Sequence, residues 1–203
     1  IVYGDYLSRC ATLGSQASDV DTVIEGLTLS CGYSSSGGGC CYGTAVDCII
    51  EDCYSTGNGG GAYGTMLSGS SLVGNVANSS GGGSYGNKVI ASSCIFEDNI
   101  SYGDGGGAYN GAYYDCTFAG NRASSNGGAT YDATLQRCII RNNQAAKGGG
   151  THYGTSYSSL YHDNYASSSG GGAYQGALRN CTVTRNKSVS SPAGVYNVTA
   201  YNT

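Results

Sequence analysis

Three residue columns recur along the chain with one shared period of about 22 residues, and that period limits the fold more than any single motif does. The first column is a Tyr that follows a glycine run and one variable residue. It comprises Tyr42, Tyr63, Tyr85, Tyr109, Tyr131, Tyr153, Tyr174 and Tyr196, with successive gaps of 21, 22, 24, 22, 22, 21 and 22. The second is an apolar residue three positions before an Asn: LVGN ending at Asn75, FEDN at Asn99, FAGN at Asn121, IRNN at Asn143, YHDN at Asn164 and VTRN at Asn186. The third lies two residues before that apolar position: Cys48, Ser70, Cys94, Cys116, Cys138, Ser159 and Cys181. A period of this length is the mark of a solenoid, whose repeats bury their apolar faces against one another.

The apolar positions come in short alternating bursts, as in LQRCIIRNN, flanked by Gly, Ser and Asn. That is strand and turn chemistry; a helical repeat needs 10–15-residue segments of 3.6 periodicity. The expected fold is all-β: a right-handed parallel β-helix in one domain spanning 1–203. Residues 1–22 form an irregular or partial first coil, 23–197 the regular coils and 198–203 a partial last coil. Stacked coils lie ~4.8 Å apart, so about eight of them make a rod roughly 40 Å long. Leu72, Phe96, Phe118, Ile140 and Val183 should stack inside. Asn75, Asn99, Asn121, Asn143, Asn164 and Asn186 should form a ladder at one turn, where Asn tolerates the left-handed conformation. The Tyr column is expected to face outward, with Val2, Ala62, Ala108, Ala173 and Val195 before it pointing in. His152 reads as a tolerated substitution in that small-residue column.

Composition narrows the function. Only 11% of residues are charged and the net charge is −4, which argues against nucleic acid and an anionic membrane as partners. Thirty-six Gly with a single Pro exclude collagen, and no apolar run reaches the ~18 residues of a membrane span. No metal-ligand spacing or phosphate loop is present, so no metal and no cofactor are expected. The chain opens on Ile1 with no signal-like segment, which reads as a processed or trimmed chain. Ten Cys without a CxxC pair indicate an oxidising compartment more than a zinc site.

FEDN and FAGN match the FxxN element of polymorphic outer-membrane-protein-type repeats, and the GGG-x-Y stretches are close to their GGA-[ILV] element. The chain resembles that family, and more broadly the parallel β-helix proteins of bacterial surfaces, from about Val23 to Asn197. The resemblance implies an extracellular or cell-surface passenger, adhesin or stalk. Related β-helices include pectate lyases and other polysaccharide enzymes, so polysaccharide is a second partner to consider.

The residues that carry chemistry fall into four groups. Cys94, Cys116 and Cys138 are column neighbours at disulfide-compatible spacing, though three cannot all pair; they read as small buried thiols. Cys31, Cys40, Cys41 and Cys53 break the repeat, with Cys53 in place of a ladder Asn, and a bridge such as Cys31–Cys53 is expected to staple the least regular coils. Two outward columns carry most of the charge: Glu51, Val73, Glu97, Ala119, Arg141, His162, Thr184, and beside them Asp52, Gly74, Asp98, Gly120, Asn142, Asp163, Arg185. Glu51 and Glu97, two coils and roughly 10 Å apart, stand near the wide limit of an inverting glycosidase pair. An enzymatic reading would use Glu51, Glu97, Asp98, Arg141, His162, Asp163 and Arg185; the plainer reading is a solvated, charge-mixed face without a catalytic centre. Of the Asn-x-Ser/Thr sequons, Asn78 in ANSSGGG is the most exposed glycosylation candidate, whereas Asn99 and Asn186 belong to the ladder. Lastly, IVYG at the start resembles GVYN near the end. Ile1, Val2 and Tyr3 are therefore expected to complete a coil begun by Val198, Thr199, Ala200 and Tyr201 of another copy, giving a head-to-tail homopolymer.

Overall fold

The computed structural model describes residues 1–16, 21–190 and 192–203. All strand pairing is parallel, and successive coils add to three ladders of nine, sixteen and eight strands. One coil shows the plan. Strand Thr44–Val46 is followed by a corner at Asp47–Cys48, strand Ile49–Glu51, a second corner at Asp52–Cys53, strand Tyr54–Asn58, a glycine corner at 59–61 and strand Ala62–Tyr63. Gly64 and Thr65 then lead into Met66–Ser68, which pairs with Thr44–Val46 and begins the next coil. The sixteen-stranded ladder contains two strand rows, which Ala173–Arg179 joins as one continuous strand.

Period-two alternation sends one residue of each short strand inward, and parallel register stacks equals on equals. Val2, Leu29, Ile50, Leu72, Phe96, Phe118, Ile140, Tyr161 and Val183 form the main apolar column. Ile24, Ala45, Leu67, Ala91, Tyr113, Leu135, Ser156, Leu178 and Ala200 face it. Large rings are accommodated locally. Tyr113 meets Phe96 and Phe118 edge-on at 5.5 and 5.3 Å and shares a hydrogen bond with Ser84 at 3.0 Å. Tyr161 shares one with Ser156, where the facing column turns small. Fully buried Tyr hydroxyls are thus paired, as a dry interior demands.

Two corners of each coil share one device: a residue at positive φ followed by an inward side chain that hydrogen-bonds the coils above and below. Before the Asn column stand Cys31, Asp52, Gly74, Asp98, Gly120, Asn142, Asp163 and Arg185, all with φ between 51° and 67°. Asn99 is typical of the column. Its backbone N–H and Nδ2 donate to Asn121 Oδ1, both at 3.0 Å, and Nδ2 also donates to Leu72 O at 2.9 Å. Its own Oδ1 accepts from Asn75 N and Nδ2. Both amide donors and both oxygen lone pairs are used, and Asn121, Asn143 and Asn164 repeat the pattern. Cys53 fills the ladder position one coil earlier, donating its N–H to Asn75 Oδ1 and its thiol hydrogen towards Leu29 O or Glu51 O. The Cys/Ser column does similar work at the other corner: Cys48, Cys94 and Cys138 donate N–H to Ser70 Oγ, Cys116 Sγ and Ser159 Oγ.

The glycine corner is set by space as well as torsion. Gly81 has φ 69°, and a Cβ on Gly83 would lie 2.6 Å from Gly107 O and 3.0 Å from Phe96 Cδ1. At the equivalent place in a later coil, Ala129 is accommodated with full burial.

Register departs from the sequence expectation in three places. Tyr63 pairs with Cys41, not Tyr42, and Tyr131 and Tyr174 pair with His152, not Tyr153. Tyr42 and Tyr153 instead occupy the next position at φ 60°, where other coils carry Gly64, Asn110 and Asp132, so counting tyrosines alone slips the register by one. Third, Val2 and Tyr3 pair with Leu29 and Ser30 in the main apolar ladder, and Ala11–Thr12 covers Cys40–Cys41. IVYG is therefore no counterpart of GVYN.

Replacing Asn121 with Ala strands Asn99 N–H and Phe96 O in a dry corner. Each such loss costs roughly 1–3 kcal/mol, so Asn121→Ala is expected to destabilise by about 3 kcal/mol or more. The exposed neighbour Gln144→Ala should stay within about 0.5 kcal/mol of the parent, both read from urea or thermal unfolding.

Candidate functional site

The residues of the enzymatic reading are placed in register as the repeat implies. Glu51, Val73, Glu97, Ala119, Arg141, His162 and Thr184 form one outward column, with Val73 between the two glutamates. Asp98, Asp163 and Arg185 sit at the adjoining exposed left-handed corner. Arg185 grips Asp163 through Nε at 3.1 Å and Nη2 at 2.9 Å, and His162 Nδ1 approaches the same carboxylate at 2.7 Å. These partners hold Asp163 down at about 2. A carboxylate clamped in its charged form is the opposite of a general acid, which needs a raised pKa. One corner away Arg137 forks onto Asp115, both contacts at 2.7 Å, and lowers that carboxyl as well. The mixed columns thus pair neighbours across coils. Among the described residues no three His, Cys, Asp or Glu are placed to hold a metal ion.

The longest outward feature is aromatic. Tyr63, Tyr85, Tyr109, Tyr131, His152, Tyr174 and Tyr196 stack in line, with centroids 4.8–5.4 Å apart and planes within 16°. From Tyr63 to Tyr174 the tyrosines are half-buried and lean on one another, so the stack shows edges and hydroxyls rather than open ring faces. A cavity of about 310 Å³ opens beside it, lined by Tyr63, Gly64, Tyr85, Gly86, Asn87 and Lys88. His152 is 5% exposed, and its Nδ1 has no hydrogen-bond partner. Tyr153 packs edge-on against it at 4.4 Å.

All ten cysteines are free thiols. Cys31 sits on an outer left-handed corner beside Ser30 Oγ, while Cys53 is in the buried ladder and Cys40 and Cys41 are buried in another strand row, so the structure forms none of the bridges expected among them. It brings Cys10 and Cys53 to the same residue, Gly32, instead. Sequence reasoning passed over Cys10 because it lies outside every column. Asn78 is exposed and accepts a hydrogen bond from Tyr54 Oη at 2.6 Å, whereas Asn99 and Asn186 are buried. Val198–Tyr201 extend the ladder along Gly176–Arg179, and Arg179 lies over the Tyr201 ring at 4.4 Å.

Burial lowers His152 to about 4, opposed by Asp104, while Lys147 adds to the lowering. The unfolded chain then binds the extra proton between pH ~6.5 and ~4, so stability is full above that window and falls as pH drops through it. The expected loss is up to about 3 kcal/mol. His152→Phe, which keeps the stack, should flatten this limb of a urea-midpoint profile against pH. Asp163 contributes its own loss only at lower pH.

Comparison with protein families places one match on this geometry: residues 115–132 match the Chlamydia polymorphic membrane protein repeat. That stretch, DCTFAGNRASSNGGATYD, holds core residue Phe118, ladder residue Asn121 and the Gly127–Ala129 corner. Neither the curated proteins nor the solved structures compared with the chain gave a match. The chain is thus a parallel β-solenoid, one stretch of which, residues 115–132, matches that membrane protein repeat.

Proposed function

We propose that this chain is a stiff, rod-like segment of a bacterial outer-membrane or surface protein. The observation that carries the reading is the match at residues 115–132 to a polymorphic membrane protein repeat, within a coil built like its neighbours. The physics of the rod agrees with such a role. The coils are fixed by backbone pairing and buried side-chain ladders, while the outward charged columns need only suit their neighbours across coils. A spacer needs length and stiffness from its interior and asks little of its surface.

Adhesion and head-to-tail assembly are narrower proposals within the same reading. Adhesion would use a flank such as the one where Ile49, Ile95 and Ile139 project at 41–44% exposure, whereas head-to-tail assembly would use the end strands with Ile1, Val2 and Tyr3 at one end and Val198, Thr199, Ala200 and Tyr201 at the other. The experiment is antibody labelling and protease shaving of intact cells that make the native protein. Labelling before permeabilisation, abolished by protease, is the expected result. Signal that appears only after permeabilisation would overturn the surface reading. Sedimentation of the purified chain over a wide concentration range tests self-association, and concentration-independent monomers would remove it.

A further inference from the structure

We propose that Cys10 and Cys53 are a disulfide-forming pair which, when oxidised, fastens the first, irregular coil to the regular rod. The Asn ladder ends at this point. Cys53 takes the place of Asn, and the next coil outward offers Gly32, which has no side chain to continue the column. The two sulfurs converge on that glycine. Gly32 N–H donates to Cys53 Sγ at 3.3 Å, and a Cβ on Gly32 would stand 2.9 Å from Cys10 Sγ. The two thiols thus meet at Gly32 although 42 residues of chain lie between them. Where inner coils are joined by amide ladders, this junction is joined by a pair of thiols.

The two cysteines differ as a reactive pair should. Cys10 is half-exposed and Cys53 is buried. The neighbouring Cys53 lowers Cys10 to about 7, while Cys10 and burial push Cys53 up. Cys10 is therefore the attacking thiolate. With a low-molecular-weight disulfide as oxidant, Cys10 attacks one of its sulfurs, forms a mixed disulfide and releases one small thiol. Cys53, on losing its proton to solvent, attacks the Cys10 sulfur and releases the second. Two protein thiols are oxidised and one small disulfide is reduced to two thiols. The Cys94–Cys116–Cys138 column offers no such entry, since each is about 1% exposed.

The test incubates the reduced chain with glutathione disulfide near pH 8, then denatures and alkylates it. The oxidised chain should take up two fewer alkyl groups than the reduced chain. Cleavage after Glu25 and Glu51 places Cys10 and Cys53 in separate peptides, and mass spectrometry should find them joined. Cys10→Ser should abolish the joined peptide and Cys31→Ser should leave it. Oxidation should raise the melting temperature of the parent but not of Cys10→Ser, a readout that stands even if Cys53→Ser fails to fold. Full alkylation of Cys10 after oxidation, or its joining to any other cysteine, would overturn the proposal.

Discussion

The structure depends on how a buried corner satisfies its backbone. A parallel coil turns sharply at each corner, and the turn leaves peptide N–H and C=O groups facing a dry interior where an unpaired group costs roughly 1–3 kcal/mol. Asn resolves this because one short side chain offers two donors and two acceptor sites. It caps the coil on one side, holds a carbonyl on the other and hands the same problem to the next Asn. The interaction is cooperative along the rod, so the column recurs in coil after coil. Where it gives out, at Cys53 and Gly32, a thiol makes a single-donor version of the same contacts.

The glycine corner answers a different demand. Three glycines in sequence carry a large entropic cost if conformational freedom is their only use. Gly81 needs its positive φ, but Gly83 is pinned by the carbonyl of the coil below and by a core phenylalanine. Asp residues at the outer corners use glycine similarly. A Cβ on Gly69, Gly74 or Gly120 would fall 2.1–2.8 Å from a carboxylate oxygen of Asp47, Asp52 or Asp98 one coil earlier.

Most of this architecture was legible because parallel register turns a spatial column into a sequence period. Phe96, Phe118, the Asn ladder and the Cys/Ser column all repeat their chemistry, so spacing alone aligned them. What failed was information local to one or two residues. The position after the Tyr column accepts Gly, Asn, Asp, Gln or Tyr in left-handed geometry, so Tyr42 and Tyr153 disguised Cys41 and His152. IVYG resembled GVYN in too few residues to fix a register. Cys10 stands outside the Tyr, Asn and Cys/Ser columns; the structure instead puts it in the place that Gly39 takes one coil on, beside Gly32 and so near Cys53.

The outward charges carry a last constraint that bears on function. Stacking at ~4.8 Å places equivalent residues of adjacent coils side by side, where like charges repel by about 1 kcal/mol in water and about 4 kcal/mol nearer a protein surface at 4 Å. Neutral residues accordingly separate like charges: Val73 lies between Glu51 and Glu97, and Gly74 between Asp52 and Asp98. Where charges do adjoin, they oppose, as in Asp115–Arg137 and Asp163–Arg185. The wide glutamate spacing that invites comparison with a glycosidase pair therefore has a sufficient cause in the electrostatics of stacking. A solenoid that needed clustered carboxylates for catalysis would have to break this alternation, and these columns keep it from Glu51 to Arg185.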